Sequence, residues 1–262
     1  MTPTQLRATA ADWWARGRAA SVVEVVEHRG SVPRETGTRM LVAADAVAGT
    51  IGGGHLELEA IVRARAGRHA DWRVALGPSL GQCCGGALVL RFSPLDPGAL
   101  AAWPAPRPRF ELQLHGAGHV GRAIAGLLAD IECRVVWIDE REAQFPPGPL
   151  PPHLEPRNVD VVEAEVASAA PGTHFLVLTH SHDLDLRITE AVLRRGDFTW
   201  LGLIGSASKR ARFEHRLLQR GLAAEMIARL TCPIGLPGIT GKEPSVLAVA
   251  VVAQLLSMTP AS

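Results

Sequence analysis

Residues 110–140 read FELQLHGAGHVGRAIAGLLADIECRVVWIDE, a stretch with the parts of a nucleotide-binding βαβ opening. Residues 111–115 alternate as a short strand does, Gly116-Ala117-Gly118-His119-Val120-Gly121 is a GxGxxG turn, and residues 120–128 carry apolar side chains at helical spacing. A β-branched run over 134–138 then closes on Asp139. Each glycine has a mechanical reason to be there. Gly116 permits the tight turn, Gly118 lets backbone approach a pyrophosphate, and Gly121 lets the helix sit on the sheet. Free N–H groups at the helix start suit an anion. Asp139 stands where an acidic side chain accepts from a ribose 2′-hydroxyl, which favours an NAD-type nucleotide over one carrying a 2′-phosphate. A glycine-rich connection that binds nothing is compatible with the same fold.

Working outward, the 262 residues suffice for two modest domains, each with its own core. Residues 93–108 (SPLDPGALAAWPAPRP) are rich in proline and alanine and separate two glycine-rich halves. The expectation is an α/β protein with a smaller N-terminal α+β domain at 1–95, a linker at 96–108, and a Rossmann-like parallel sheet at 109–262. Lys plus Arg (27) nearly cancels Asp plus Glu (26), so no global field recruits nucleic acid or an acidic membrane surface. The opening MTPTQLRATAADWWARGR lacks the apolar segment of a signal peptide, and no run is long enough to span a bilayer. A cytoplasmic protein is expected. Homo-oligomerisation is compatible with the sequence and not fixed by it.

In the first half, helix is expected over 4–16, strands over 20–28, 39–42, 72–76 and 87–92, and a helix from Leu56 onward. The loop Arg29-Gly30-Ser31-Val32-Pro33-Arg34-Glu35-Thr36-Gly37-Thr38 combines arginines with small polar residues, suited to gripping an oxyanion or equally to a solvated hairpin. Gly52, Gly53 and Gly54 open the next helix, where three glycines in a row signal close approach to a ligand or a tight strand-to-helix turn. Glu57 and Glu59 suit the helix dipole there and need no catalytic role. Of four cysteines, Cys83 and Cys84 are adjacent and flanked by glycine, a setting for accessible thiols that act as nucleophile or soft-metal ligand, or for two small residues at a turn.

In the second half, strands are expected at 159–163, 174–178 and 199–204, and an apolar, buried helix at 243–256. Thr179-His180-Ser181-His182-Asp183-Leu184-Asp185 follows a strand at the carboxyl edge of the sheet, where ligands bind. Its register is wrong for an HxHxDH metal site, because Leu184 and Asp185 stand where Asp and His are needed. Polar ligand contact by His180 and His182 is the preferred reading, with a helix cap by Asp183 or Asp185 as the plainer one. Ser206 caps a further helix, and Lys209 with Arg210 either pair a phosphate or face water.

The chain resembles the XdhC/CoxI accessory proteins of molybdenum hydroxylases. The resemblance is carried in order by Gly30-Ser31-Val32-Pro33-Arg34, residues 49–57, Gly81-Gln82-Cys83-Cys84-Gly85-Gly86, residues 116–121, residues 179–185, Leu203-Ile204-Gly205-Ser206 with Lys209-Arg210, and Pro233-Ile234-Gly235-Leu236. It implies a protein without turnover of its own that binds the molybdenum cofactor (molybdopterin) as cargo and helps it acquire a terminal sulfido ligand with a cysteine desulfurase. Delivery to xanthine dehydrogenase, in purine catabolism, would follow. On that reading Cys83 or Cys84 is expected to meet the molybdenum or relay sulfur, with Arg34 and the loops of Gly52, Gly53, Gly54, Gly116, Gly118 and Gly121 gripping the pterin phosphate, while the resemblance leaves open whether the Rossmann half holds part of this cofactor, a separate NAD-type molecule or nothing. Asp139, His180, His182 and Ser206 complete the expected contacts. An NAD-dependent oxidoreductase built on 116–121 and Asp139 is the alternative, though no hydride-transfer acid or base is identifiable. A metal-dependent hydrolase using His180, His182 and Asp185 is the third reading.

Overall fold

Thr2 starts the chain's first helix, α1 (Pro3–Ala15), with a capping box: its hydroxyl accepts from the Gln5 N–H while the Gln5 side chain accepts from the Thr2 N–H. The structure is a computed structural model describing residues 1–76 and 85–259. Cys83 and Cys84 lie outside the described residues. The chain divides into two compact units, Met1–Pro106 and Arg107–Ser262.

The first unit is an antiparallel sheet of β1 (Ala20–Arg29), β2 (Arg39–Ala43), β3 (Val47–Gly49), β4 (Trp72–Ala75) and β5 (Ala87–Pro94), in the order β3-β2-β1-β5-β4. Strand period decides which layer each residue joins. Val23, Val25, Met40 and Val42 face α2 (Gly54–Arg65) through Leu56, Ala60 and Ala64. Val22, Leu41 and Ala43 face the other way, onto Leu6, Ala10 and Trp13 of α1. Within the segment read as a linker, Asp96 caps a short helix, α3 (Pro97–Ala102), and Trp103 is buried in this second layer.

The second unit is a parallel sheet ordered β11-β10-β9-β6-β7-β8. Its strands are β6 (Glu111–His115), β7 (Arg134–Asp139), β8 (Leu154–Asn158), β9 (His174–Val177), β10 (Trp200–Leu203) and β11 (Leu230–Thr231). Helices α4 (His119–Leu128) and α8 (Pro244–Met258) pack on one face of the sheet. Helices α5 (His182–Arg195), α6 (Ala207–Gln219) and α7 (Ala224–Ile227) pack on the other. Strand order reverses between β6 and β9, so the carboxyl ends of these two strands flank the crevice where ligands bind in open α/β sheets.

Two expectations for this unit are corrected. The strand read at 159–163 lies at Leu154–Asn158 instead, paired in register with Val135 to Asp139 of β7. Pro156 is tolerated in it because β8 is the outer strand, whose free side needs no N–H there. Val162 and Val166 then bury from a 3-10 helix, Val162–Ser168. Helix α8 is not buried all round: Ala248, Val251, Val252 and Leu255 enter the core, while Val249 is 49% exposed.

Candidate functional site

At the turn after β6 the three glycines divide the work as their spacing requires. A Cβ on Gly116, where φ is +120°, would lie 2.4 Å from the Leu178 carbonyl oxygen, and one on Gly121 would lie 2.1 Å from the Gly116 oxygen. Both positions exclude any side chain. A Cβ on Gly118 would meet nothing within 4 Å, which is the open approach a bound group needs. A narrow crevice with no room for a water molecule runs beside this turn, lined by Gly116, Ile138, Asp139, Glu140, Thr179 and His180 among others.

Asp139 is 4% exposed and already engaged. One carboxylate oxygen accepts from the Ala117 N–H at 2.6 Å, and Arg141 donates to both oxygens at 2.9 and 3.0 Å, its own backbone N–H adding a further bond. Burial pushes this carboxyl up, but the Arg141 and Ala117 hydrogen bonds outweigh it and hold Asp139 below the usual carboxylate range. A ribose hydroxyl reaching Asp139 would have to displace Arg141, a residue the sequence reading passed over. His180 lines the crevice, its Nε2 3.4 Å from Glu140 Oε1. His182 is the exposed first residue of α5 and is not among the crevice-lining residues.

The cap of α5 is Ser181, whose hydroxyl accepts from the Leu184 N–H, rather than Asp183 or Asp185. Asp185 has a structural task instead. One of its oxygens accepts from the Thr179 N–H and hydroxyl, and the other from Lys209 Nζ at 2.6 Å. Lys209 also donates to the Ile204 carbonyl at 2.8 Å. The pair's side chains are 8% and 1% exposed, so Lys209 neither faces water nor stands free for a phosphate. It fastens the loop after β9 to the loop after β10. A Cβ on Gly205 would fall 2.6 Å from Lys209 Cδ, so the glycine makes room for the lysine to lie inward. Ser206 caps α6 through the Lys209 N–H, as its position in the sequence suggested. Arg210 is tied to Glu214 and to the Cys232 carbonyl.

In the first unit, three motif stretches meet. A Cβ on Gly52 would lie 2.5 Å from Pro33 Cβ, and one on Gly86 would lie 2.3 Å from the Ser31 oxygen and 2.6 Å from the Arg29 oxygen. Glycine is therefore required where these loops press together. Glu57 organises the entry to α2: its Oε2 accepts from the Ile51 and Gly53 N–H groups at 3.0 and 3.1 Å and from the Thr50 hydroxyl. Those amides are consequently committed to a carboxylate of the chain itself. Glu57 does stand in the first turn, where the helix dipole favours it, and its reach back into the loop is a second role that position alone does not announce. Arg29 pairs with Glu27 and Arg39 with Glu24, whereas Arg34 is exposed and makes no ion pair among the described residues. Gly85 and Gly86 continue directly from Cys84, so Arg34's loop is anchored against the residues that follow the cysteine pair.

Among the described residues no three or more His, Cys, Asp or Glu side chains group as metal ligands would. No helix among them is long and apolar enough to cross a membrane.

Residues 112–255 match a family model described as the XdhC Rossmann domain, and residues 13–73 match one described as the XdhC and CoxI family. Uncharacterized protein YqeB of Escherichia coli (strain K12) is 33% identical over 257 residues, covering 91% of this chain and 43% of that protein. The chain thus spans less than half the length of this curated relative. A crystal structure described as that of a xanthine dehydrogenase from Bacillus halodurans superposes with a TM-score of 0.76 at 19% identity, over 98% of this chain and 96% of the other. At that identity the likeness is one of fold.

Proposed function

Because the chain belongs to the XdhC and CoxI family, we propose that it is an accessory protein in the maturation of xanthine dehydrogenase, taking the molybdenum cofactor as cargo in the cytoplasm. In this reading it holds the cofactor while a cysteine desulfurase supplies the terminal sulfur, then passes it to the apoenzyme. The observation that carries the reading is the meeting, in the first unit, of the Arg34 loop, the Gly52 turn and the Gly85-Gly86 segment that follows Cys83 and Cys84.

The chemistry of the donors suits the cargo. Arg34 offers a forked, permanently charged group for a phosphate. Cys83 or Cys84, as thiolate, is a soft ligand matched to a sulfur-rich metal centre. Because Glu57 occupies the Ile51 and Gly53 amides, the glycine loop serves here to set the position of Pro33 and Arg34 rather than to bind the anion itself.

The test is to purify the chain from cells that make the cofactor and to measure molybdenum and pterin per chain. The Cys83→Ala/Cys84→Ala variant is expected to lose retained molybdenum by about tenfold or more, and Arg34→Ala by a smaller factor, the size of one lost charged hydrogen bond. Retention unchanged in the double cysteine variant would remove the thiols from this account. A second reading, a nicotinamide nucleotide at residues 116–121, is favoured by the open approach at Gly118 and opposed by the engagement of Asp139 with Arg141. NADH fluorescence on the same preparations separates the two.

A further inference from the structure

Asp139 stands where a dinucleotide fold ordinarily accepts from the ribose 2′-hydroxyl, yet it has no acceptor left to offer. An ionised carboxylate presents about four lone-pair sites. All are spent: Oδ1 accepts from the backbone N–H and Nε of Arg141, and Oδ2 from the Ala117 N–H and Arg141 Nη2. The Asp139 side chain is also 3% exposed, so a hydroxyl arriving at this turn finds nothing on it to donate to.

Donors are what this place has to spare. A guanidinium carries five N–H groups. Asp139 takes one from Nε and one from Nη2, which leaves the second Nη2 hydrogen and both on Nη1, an atom that is not buried and has no partner among the described residues. The Arg141 side chain is 34% exposed, so solvent reaches this unused edge. Because the carboxylate grips the opposite edge of the fork, a ligand is spared much of the cost of ordering a long side chain. The grip also sets the place: Oδ2 joins the guanidinium to the Ala117 N–H, next to Gly118 and its open approach. Arg122 of α4 reaches the same turn through the Gln144 carbonyl, and its Nε and Nη2 have no partner among the described residues. Two carboxylates oppose an anion here, but Glu140 is turned to His180 and Glu142 is exposed to screening by water and salt. An arginine beside the glycine turn is the usual means of accommodating a ribose 2′-phosphate.

We propose that Arg141, braced by Asp139 and aided by Arg122, makes the turn at residues 116–121 a site for a 2′-phosphorylated nucleotide of the NADP type over its NAD counterpart, the reverse of what an acid at position 139 signals by itself. The inference rests on the reading of residues 116–121 as a nucleotide site and is independent of the cargo reading. Its test is calorimetry on the purified chain at fixed ionic strength, with NADPH and NADH as probes. NADPH is expected to bind at least about tenfold more tightly than NADH. Arg141→Ala should weaken NADPH by about tenfold or more and, by releasing Asp139 to a ribose hydroxyl, strengthen NADH, so that the preference inverts. Arg122→Ala leaves the Asp139 hydrogen bonds intact and keeps the test open should the first variant misfold; it should weaken NADPH by about threefold or more with NADH unchanged. NADH bound as tightly as NADPH by the unaltered chain, or a preference undiminished in either variant, would overturn this inference alone. Binding of neither probe up to about 1 mM would overturn it together with the nucleotide reading.

Discussion

Before α2, the glycine loop is wired locally: Glu57, in the first turn of the helix it introduces, reaches back to the Ile51 and Gly53 amides. Before α4, the corresponding turn is wired from afar, with Asp139 crossing from the next strand to the Ala117 N–H. The Asp185–Lys209 pair then fastens the neighbouring loops from residues 24 positions apart. The same sequence signal, glycines opening a helix, thus marks a self-contained loop in one unit and a turn dependent on tertiary structure in the other. It follows that damage to the first should stay local, whereas damage to the second should spread through its unit.

The hardest test of that difference is Asp185→Ala, which leaves the Lys209 ammonium buried without a counter-charge. A loss of about 3–5 kcal/mol is expected, read as faster hydrogen exchange throughout the second unit with the first unchanged. The Asp185→Leu/Lys209→Met double variant should recover most of it. A loss for Asp185→Ala below about 1 kcal/mol would show the pair to be solvated like a surface bridge.

Acid should also tell the units apart, because all three buried histidines among the described residues, His115, His153 and His174, lie in the second. Burial pushes His115 from 6.5 down to about 3. The unfolded chain therefore binds a proton between those values that the folded chain refuses. Stability from this group is full above pH 6.5 and falls, by an amount on the order of a few kcal/mol, as pH drops toward 3. His115→Leu should flatten the acid limb of the second unit's unfolding curve, and an unchanged limb would assign the loss to other groups.

The smallest effect belongs to Glu57→Gln, which keeps the shape and removes the charge. About 1–2 kcal/mol is expected, with the Ile51 and Gly53 amides exchanging faster and the second unit untouched. If instead the whole first unit loosened, the loop would be no more self-contained than its counterpart.

What the sequence revealed follows the same division. The β6-α4-β7 opening was legible because strand alternation, glycine spacing and helix period agree within some thirty residues, and the Ser206 cap because capping is local. The Asp185–Lys209 pair was visible only as two charges, since burial is a property of the assembled sheet. Arg141 on Asp139 was hidden by the expectation of an empty carboxylate. His174 was hidden inside an otherwise apolar strand, where nothing local marks an imidazole for burial. β3, at three residues, is shorter than any pattern can resolve.

Pro156 in β8 carries a final consequence. One border of the six-stranded sheet lacks an amide hydrogen in the middle of its outer row, and the other ends in β11, only two residues long. Both rims are therefore poor templates for a foreign strand, which protects this unit against fibril-like growth from its sheet.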